Sequence, residues 1–254
     1  LLDAALAHAE AGNYSSLHIL FPEPAELPLL EARGLLIRRG VQFHWRNPGY
    51  RDFEDFLAAL TRDKRKKIRQ EQRRVREAGV SFKQLSGAAI RPEHLDFAYA
   101  CYANTYHVRG RHPYLTPAFF RHLADTMPEH LLLVLAERED EPIAMALNVY
   151  DETTLWGRYW GCIEEVPCLH FDTCYYQAID FCIERGIRLF EGGAQGEHKL
   201  ARGFLPTTTY SAHWVAQPEF RAAIAHFLER ETRGIAEYLD ELNEHAPFKP
   251  DATG

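Results

Sequence analysis

Residues 190–204, FEGGAQGEHKLARGF, set two carboxylates, a histidine, a lysine and an arginine among glycines, directly after a short apolar run. A phosphate loop of the Walker kind needs Gly followed at once by Lys and Ser/Thr, so that backbone N–H groups and the ammonium converge on one phosphate. Here Gly196 is followed by Glu197, His198, Lys199 and Leu200, and 192–196 reads GGAQG, which also fails the dinucleotide pattern G-x-G-x-x-G. Glu191 is the unusual member: it interrupts an apolar strand just before two glycines, which let a ligand or another backbone approach closely. A carboxylate buried there would have a raised pKa and could act as a general base. The alternative is a structural ion pair with Arg158 or Arg202.

Two further clusters could do chemistry. YHVRGRHPYLTP (106–117) gathers Arg109, Arg111, His112 and Tyr114 around Gly110, a composition that suits a lid over a carboxylate or phosphate and equally an ordinary link between helices. RDKRKKIRQEQRRVR (62–76) carries nine Lys/Arg against two acids, or +7, in a chain whose net charge is −7, so the remainder stands at −14. Lys67 and Arg69 lie mid-run, and the segment reads either as a solvated connecting helix or as a rim attracting a phosphate-rich substrate. The strongly negative remainder would repel a long nucleic acid. Cys162, Cys168 and Cys174 with His170 and His198 are the soft ligands available, but their spacing is not that of a zinc knuckle, so no metal is expected. A Cys–His nucleophile has little support in a chain with 13 histidines.

The elements that must position these groups follow from periodicity. SLHILF (16–21) reads as a strand, Pro24 to Arg33 as a short helix closed by Gly34, and 35–46 as one or two strands. Asp52 caps a helix with Phe53, Phe56, Leu57 and Leu60 on one face; the basic helix follows, with only Ile68 and Val75 apolar, and Gly79 stops it. Pro92 and Thr116-Pro117 open two more helices. HLLLVLAE (130–137), PIAMALNVY (142–150) and TTLWGRYWG (153–161), joined by tight turns, form an antiparallel meander. A crossover helix from about Asp172 to Arg185 leads to IRLFEGG (187–193), parallel to the preceding strand, and TTTYSAHWVA (207–216) and a helix from Gln217-Pro218 close the chain. This is a mixed α/β sheet flanked by helices, and its polar loop at the carboxyl end of a parallel strand lies where such sheets bind ligands.

At 254 residues, 46% apolar and 12% aromatic, the chain is globular rather than disordered. No run of 18 apolar residues and no signal segment is present, so a cytoplasmic protein with five reduced cysteines is expected. The chain opens on Leu1-Leu2-Asp3, already helical in pattern, and an upstream segment is expected.

The basic run extended to RDKRKKIRQEQRRVREAGV, DEPIAMALNVYDETTLWGRYWG, HFDTCYYQAIDFCIERGIRLFEGG and EHKLARGFLPTTTYSAHW, in that order over about residues 51–216, resemble the FemAB-like branch of the GNAT (acyl-CoA N-acyltransferase) superfamily, the "peptidoglycan biosynthesis or recognition" type. The resemblance implies a tandem GNAT-like fold: residues 1–60 as the back half of a truncated first domain, 61–79 as a basic connecting helix, 80–254 as a second domain. It implies transfer of an activated acyl or aminoacyl group to an amine, with acyl-CoA or aminoacyl-tRNA as donor and no permanently bound cofactor. The superfamily's glycine-rich pyrophosphate loop is missing, since 164–173 reads EEVPCLHFDT. For such a transfer Glu191 or His198 would be the base, and Tyr159 or Tyr175 a proton donor. Backbone N–H groups near Tyr159–Gly161 would hold the oxyanion. Lys199 and Arg202 fall on a basic-then-GF element and would bind anionic substrate groups, joined by Arg158, Gln195, Arg109, Arg111, His112, Lys67 and Arg69. The alternative function is a non-catalytic GNAT-like module recognising an anionic or cell-wall-related ligand.

Overall fold

The computed structural model describes residues 1–194 and 196–249. In chain order its elements are α1 (Leu2–Ala11), β1 (Ser16–Leu20), α2 (Leu27–Ala32), β2 (Leu36–Arg46), α3 (Phe53–Ala59), α4 (Arg62–Glu77), β3 (Val80–Ser86), α5 (Pro92–His107) and α6 (Pro117–Thr126). The meander β4 (Leu131–Arg138), β5 (Glu141–Tyr150) and β6 (Thr154–Cys162) follows, then α7 (Leu169–Phe171), α8 (Gln177–Arg185), β7 (Leu189–Glu191), β8 (Leu205–Val215) and α9 (Pro218–Glu244). The mixed α/β architecture is the expected one. A short strand, β3, was not anticipated: its apolar residues Val80, Phe82 and Leu85 are interleaved with Ser, Lys and Gln, too weak an alternation to read.

The chain forms two compact units whose bounds differ from the 1–60, 61–79 and 80–254 division expected. The first holds Leu1–Phe43 and Leu205–Ala246 with a small piece of the 190–204 loop. Here β8 returns to pair antiparallel with β1, from Ser16↔Val215 to Leu20↔Ser211, and lies between β1 and β2. That pairing is why the C-terminal strand and helix belong with the N-terminal elements. Leu30, Leu35 and Ala212 form the core, with Leu6, Ile19, Ile37 and Trp214 packed on it.

The second unit holds His44–Gly193, Glu197–Phe204 and the segment from Pro247. Its strand order is β2-β7-β6-β5-β4-β3, with only His44–Arg46 of β2 taking part. β4, β5 and β6 form the antiparallel meander, and β7, reached through the crossover, runs parallel to β6. LLLVLAE on β4 is buried along its whole length because both faces of the sheet are covered. Tyr102, Phe120, Leu133 and Met145 pack between α5, α6 and one face; Val75, Val80, Ala144 and Leu169 pack on the other. Gly161 permits the close seat of α5 on β6: a Cβ there would lie 2.3 Å from the Cys101 carbonyl oxygen.

Candidate active site

β6 and β7 pair at three positions only, Thr154↔Leu189 to Trp156↔Glu191. Beyond Trp156, β6 runs on to Cys162 while β7 ends, and the strands part. A cavity of about 170 Å³ fills the gap, walled by Gly157, Arg158 and Tyr159 of β6, Phe190 and Gly192 at the end of β7, and His170, Cys174 and Tyr175 of the crossover. A gap at the carboxyl end of parallel strands is where α/β sheets bind ligands. The ladder between β5 and β6 slips here, from Leu147↔Tyr159 to Asn148↔Gly157, so Arg158 has no partner in register. Such a bulge bends the strand and interrupts its backbone pairing beside the cavity.

The crossover enters the cavity wall through a π-helical stretch, Asp172–Tyr176, between α7 and α8. The wider turn displaces side chains from the positions a regular helix would give them, and such segments recur at functional sites. Tyr175, in this stretch, brings its hydroxyl to 3.1 Å from His198 Nε2. His198 lies on the short 3-10 helix Glu197–Arg202 of the loop after β7. Burial, then the cations Arg202, Lys199 and Lys67, hold the His198 imidazole below its ordinary pKa. His170, wedged against Trp160, Phe171 and Tyr175, is pushed down to about 4 by burial and by the nearby His198, Arg202 and Lys199. Both rings are therefore neutral at pH 7, and a neutral imidazole can accept the Tyr175 proton. Burial raises the Tyr175 phenol and takes that of Tyr159 to about 12, so both are proton donors at neutral pH.

Arg202 holds the loop in place. Its side chain is fully buried, with Nε and Nη2 on the two Glu71 oxygens at 3.2 and 2.6 Å, and Nη1 donating to the His198 carbonyl at 2.5 Å. The guanidinium carbon sits 3.4 Å from the centre of the Phe171 ring, and the Tyr176 hydroxyl donates to Glu71. With these contacts made, Arg202 positions His198, whereas the resemblance implied a substrate contact. Lys199 is buried too, its ammonium donating to the Gly192 and Gly193 carbonyls and its pKa lowered by burial, so it ties the loop to the end of β7.

The remaining candidates fall into three places. Glu191 is half-buried in β7, in register with His44 and Trp156. Its neighbours Phe190 and Gly192 line the cavity, whereas Glu191 is not among the lining residues. Of the two arginines considered as its ion-pair partner, Arg202 belongs to Glu71. Arg109, Arg111 and His112 are exposed on the loop after α5, and that loop reaches the cavity through Tyr114, whose hydroxyl is 3.5 Å from that of Tyr159. Lys67 and Arg69 are exposed on α4. Gln195 lies outside the described residues. Cys174 lines the cavity, but burial raises its thiol far above neutrality, which opposes a nucleophilic role. Among the described residues no group of three or more His, Cys, Asp or Glu is arranged to hold a metal.

Glu71 and Tyr176 escaped the sequence reading, although one signal existed. Glu71 lies three residues after Ile68 and four before Val75, on the only apolar stripe of the basic helix, and all three are buried. The opposite side of α4 faces an open groove of about 840 Å³ lined by Arg62, Arg65, Lys66, Arg69, Arg73 and Arg76. A separate recess of about 410 Å³ precedes α7, where a GNAT pyrophosphate loop would lie. Glu164 and Glu165 line it, with Glu164 paired to Arg138. Among the described residues no helix is long and apolar enough to cross a membrane.

Several solved structures share this fold. FemX aligns with a TM-score of 0.60 at 12% identity over 88% of this chain and 78% of its own. A C-terminal domain described as that of a lysylphosphatidylglycerol synthetase from Agrobacterium fabrum aligns with a TM-score of 0.62 at 13% identity, covering 87% and 75%. A tandem GNAT protein from the clavulanic acid biosynthesis pathway gives 0.52 at 11% identity, covering 85% and 68%. At such identities the likeness establishes the fold, a tandem GNAT-like one. No curated protein matches the sequence. The sequence model of the FemAB-like family, described as peptidoglycan biosynthesis/recognition, matches residues 1–250, and the chain belongs to that family.

Proposed function

We propose that this protein is an aminoacyltransferase, moving a small aminoacyl or acyl group from an activated, phosphate-bearing donor to an amine on a peptidoglycan precursor. The observation that carries this reading is the Tyr175–His198 pair at the wall of the cavity between β6 and β7. Acylation of an amine removes a proton from the nitrogen and returns one to the leaving oxygen. Tyr175 exchanges its proton with the reacting groups while neutral His198 takes and returns it through Nε2. The bulged strand at Arg158 offers backbone N–H groups, and its guanidinium a charge, to the tetrahedral oxyanion. A cavity of about 170 Å³ suits an acyl group of amino-acid size rather than a fatty chain.

Aminoacyl-tRNA is the donor favoured over acyl-CoA. The recess where a pyrophosphate would sit presents Glu164 and Glu165 rather than glycine N–H groups, and like charge there opposes a diphosphate. The cationic groove along α4 supports a donor with many phosphates. The family description supports a cell-wall acceptor, and the lysylphosphatidylglycerol synthetase domain supports a lipid hydroxyl as the second choice. Residue roles divide accordingly: Tyr175, Tyr159 and Arg158 touch substrate, while His198, Lys199 and Arg202 act behind them.

Bulk tRNA charged with radiolabelled amino acids, mixed with the protein and either a muramyl peptide precursor or phosphatidylglycerol vesicles, tests the reading directly. Label is expected in the amine acceptor, with Tyr175→Phe and His198→Ala each slowing transfer about 10²–10⁴-fold. Failure to transfer to either acceptor from charged tRNA or acyl-CoA would leave a non-catalytic binding module as the surviving account.

A further inference from the structure

The first unit carries a second histidine arrangement that acyl transfer does not use. Ser16-Leu17-His18 on β1 and Ser211-Ala212-His213 on β8 are two copies of Ser-x-His, and the register sets His18 directly opposite His213. Alternation places both serines and both histidines on one face of the ladder. The two Nδ1 atoms face each other at 2.7 Å. Each Nε2 is held by the serine two residues earlier, at 3.0 Å from Ser16 Oγ and 2.8 Å from Ser211 Oγ.

We propose that His18 and His213 form a bis-imidazole site for a divalent transition cation that prefers square-planar geometry, Cu(II) above Zn(II). With metal–nitrogen bonds of about 2.0 Å, two ligands at adjacent corners of a square lie ~2.8 Å apart, against ~3.3 Å in a tetrahedron. The observed 2.7 Å is nearer the square, and it is equally the reach of the N–H···N hydrogen bond that the pair makes without metal. The serines supply what metal-binding histidines require from behind, an oxygen on the distal nitrogen that fixes ring orientation and tautomer. In the metal-free pair one Nδ1 keeps its proton and donates to the other. Binding moves that proton to Nε2 of the same ring, where the serine hydroxyl turns from donor to acceptor, so the neutral pair releases no net proton. His18 is exposed, giving the ion an approach from solvent, and water completes its coordination. The nearby cation, Arg38, is balanced by Glu231, which it grips at 2.8 and 2.6 Å.

The full chain titrated with Cu(II) at pH 7.5 against glycine as a weak competitor, and followed by electron paramagnetic resonance, provides the test. One site should fill first with a tetragonal spectrum, and pulsed spectroscopy should detect two imidazole nitrogens. His18→Ala or His213→Ala should weaken it at least tenfold and leave at most one nitrogen. Ser16→Ala with Ser211→Ala should weaken it about tenfold, and His107→Ala, at the end of α5 beside His112, should change nothing. Wild-type affinity retained in the His18 and His213 variants, a spectrum with one nitrogen in the unmutated chain, or Zn(II) displacing Cu(II) would each overturn the assignment. A one-nitrogen spectrum from the unmutated chain overturns the assignment even if a variant fails to fold.

Discussion

Arg202 and Glu71 show how a pair of residues can serve a site without touching its substrate. Both are buried, so each charge is tolerated only through the other, with Tyr176 and the His198 carbonyl completing the hydrogen bonding. Glu71→Gln should lower unfolding free energy by about 3–5 kcal/mol in a urea titration, because a guanidinium is left buried without its counter-charge. Replacing both, as Glu71→Leu with Arg202→Met, should recover much of that loss while still disordering His198; a Glu71→Gln variant as stable as the parent would show that the pair does not hold the loop. Asp172 makes the opposite case. Burial, with Glu71 as a like charge nearby, raises it from 3.8 to about 6, while Gln177 donates to it at 3.0 Å. The folded state then holds the proton more tightly than the unfolded one, so this group's stabilisation is complete below about pH 4 and disappears as pH rises through 6. Asp172→Asn should therefore gain about 1–3 kcal/mol over the parent at pH 7.5 and little at pH 4. The types of these residues were legible in the sequence, but their partnerships were not. Glu71 and Arg202 lie 131 positions apart, and nothing local says that the one acid on an apolar stripe meets the one arginine beside a GF pair.

At the scale of elements, periodicity revealed most of what was built. The meander, the crossover, the parallel β7 and the capped helices are local patterns, and they formed where spacing and turn residues require. β3 was hidden by its polar residues, and the π-helical turn has no pattern distinct from the α-helix around it. The basic helix was read correctly as an element but incompletely as a surface. One side of α4 buries Ile68, Glu71 and Val75 behind the site, while the other displays a row of cations about 20 Å long. Exposed pairs such as Arg69–Glu54 and Arg73–Glu77 leave most of that charge available, since such bridges are worth little in water. If the row docks the phosphates of charged tRNA, Arg65→Glu, Arg69→Glu and Arg73→Glu together should weaken tRNA binding and reduce the slope of log affinity against log salt by about 2–3. Thermal stability should hardly change. An unaltered slope in a filter-binding titration would remove the helix from donor recognition.

Across the whole molecule, buried imidazoles set the response to acid. His44, in β2 opposite Glu191, and His170, at the cavity wall, are each lowered from 6.5 to about 4, in both cases chiefly by burial. For a group depressed on folding, the unfolded chain takes up its proton first. The stability it contributes is whole above pH 6.5 and is lost as pH falls towards 4, by up to about 3 kcal/mol for each residue at this size of shift. Asp172 works against them in part of the same range, regaining stability as it protonates below 6. Two imidazoles outweigh one carboxyl, so unfolding free energy should fall by a few kcal/mol between pH 7 and pH 4.5, before most surface carboxylates titrate. Denaturant titrations at half-unit steps would measure the slope, and a His44→Asn, His170→Asn variant should flatten it or reverse its sign as Asp172 alone remains. The same depression separates stability from catalysis: His198 stays neutral below the ordinary imidazole range, so transfer should persist at pH values where the fold is already weakening. A transfer rate that falls with a midpoint at 6.5 or above would mean that His198 is solvated during turnover and that the loop opens around it.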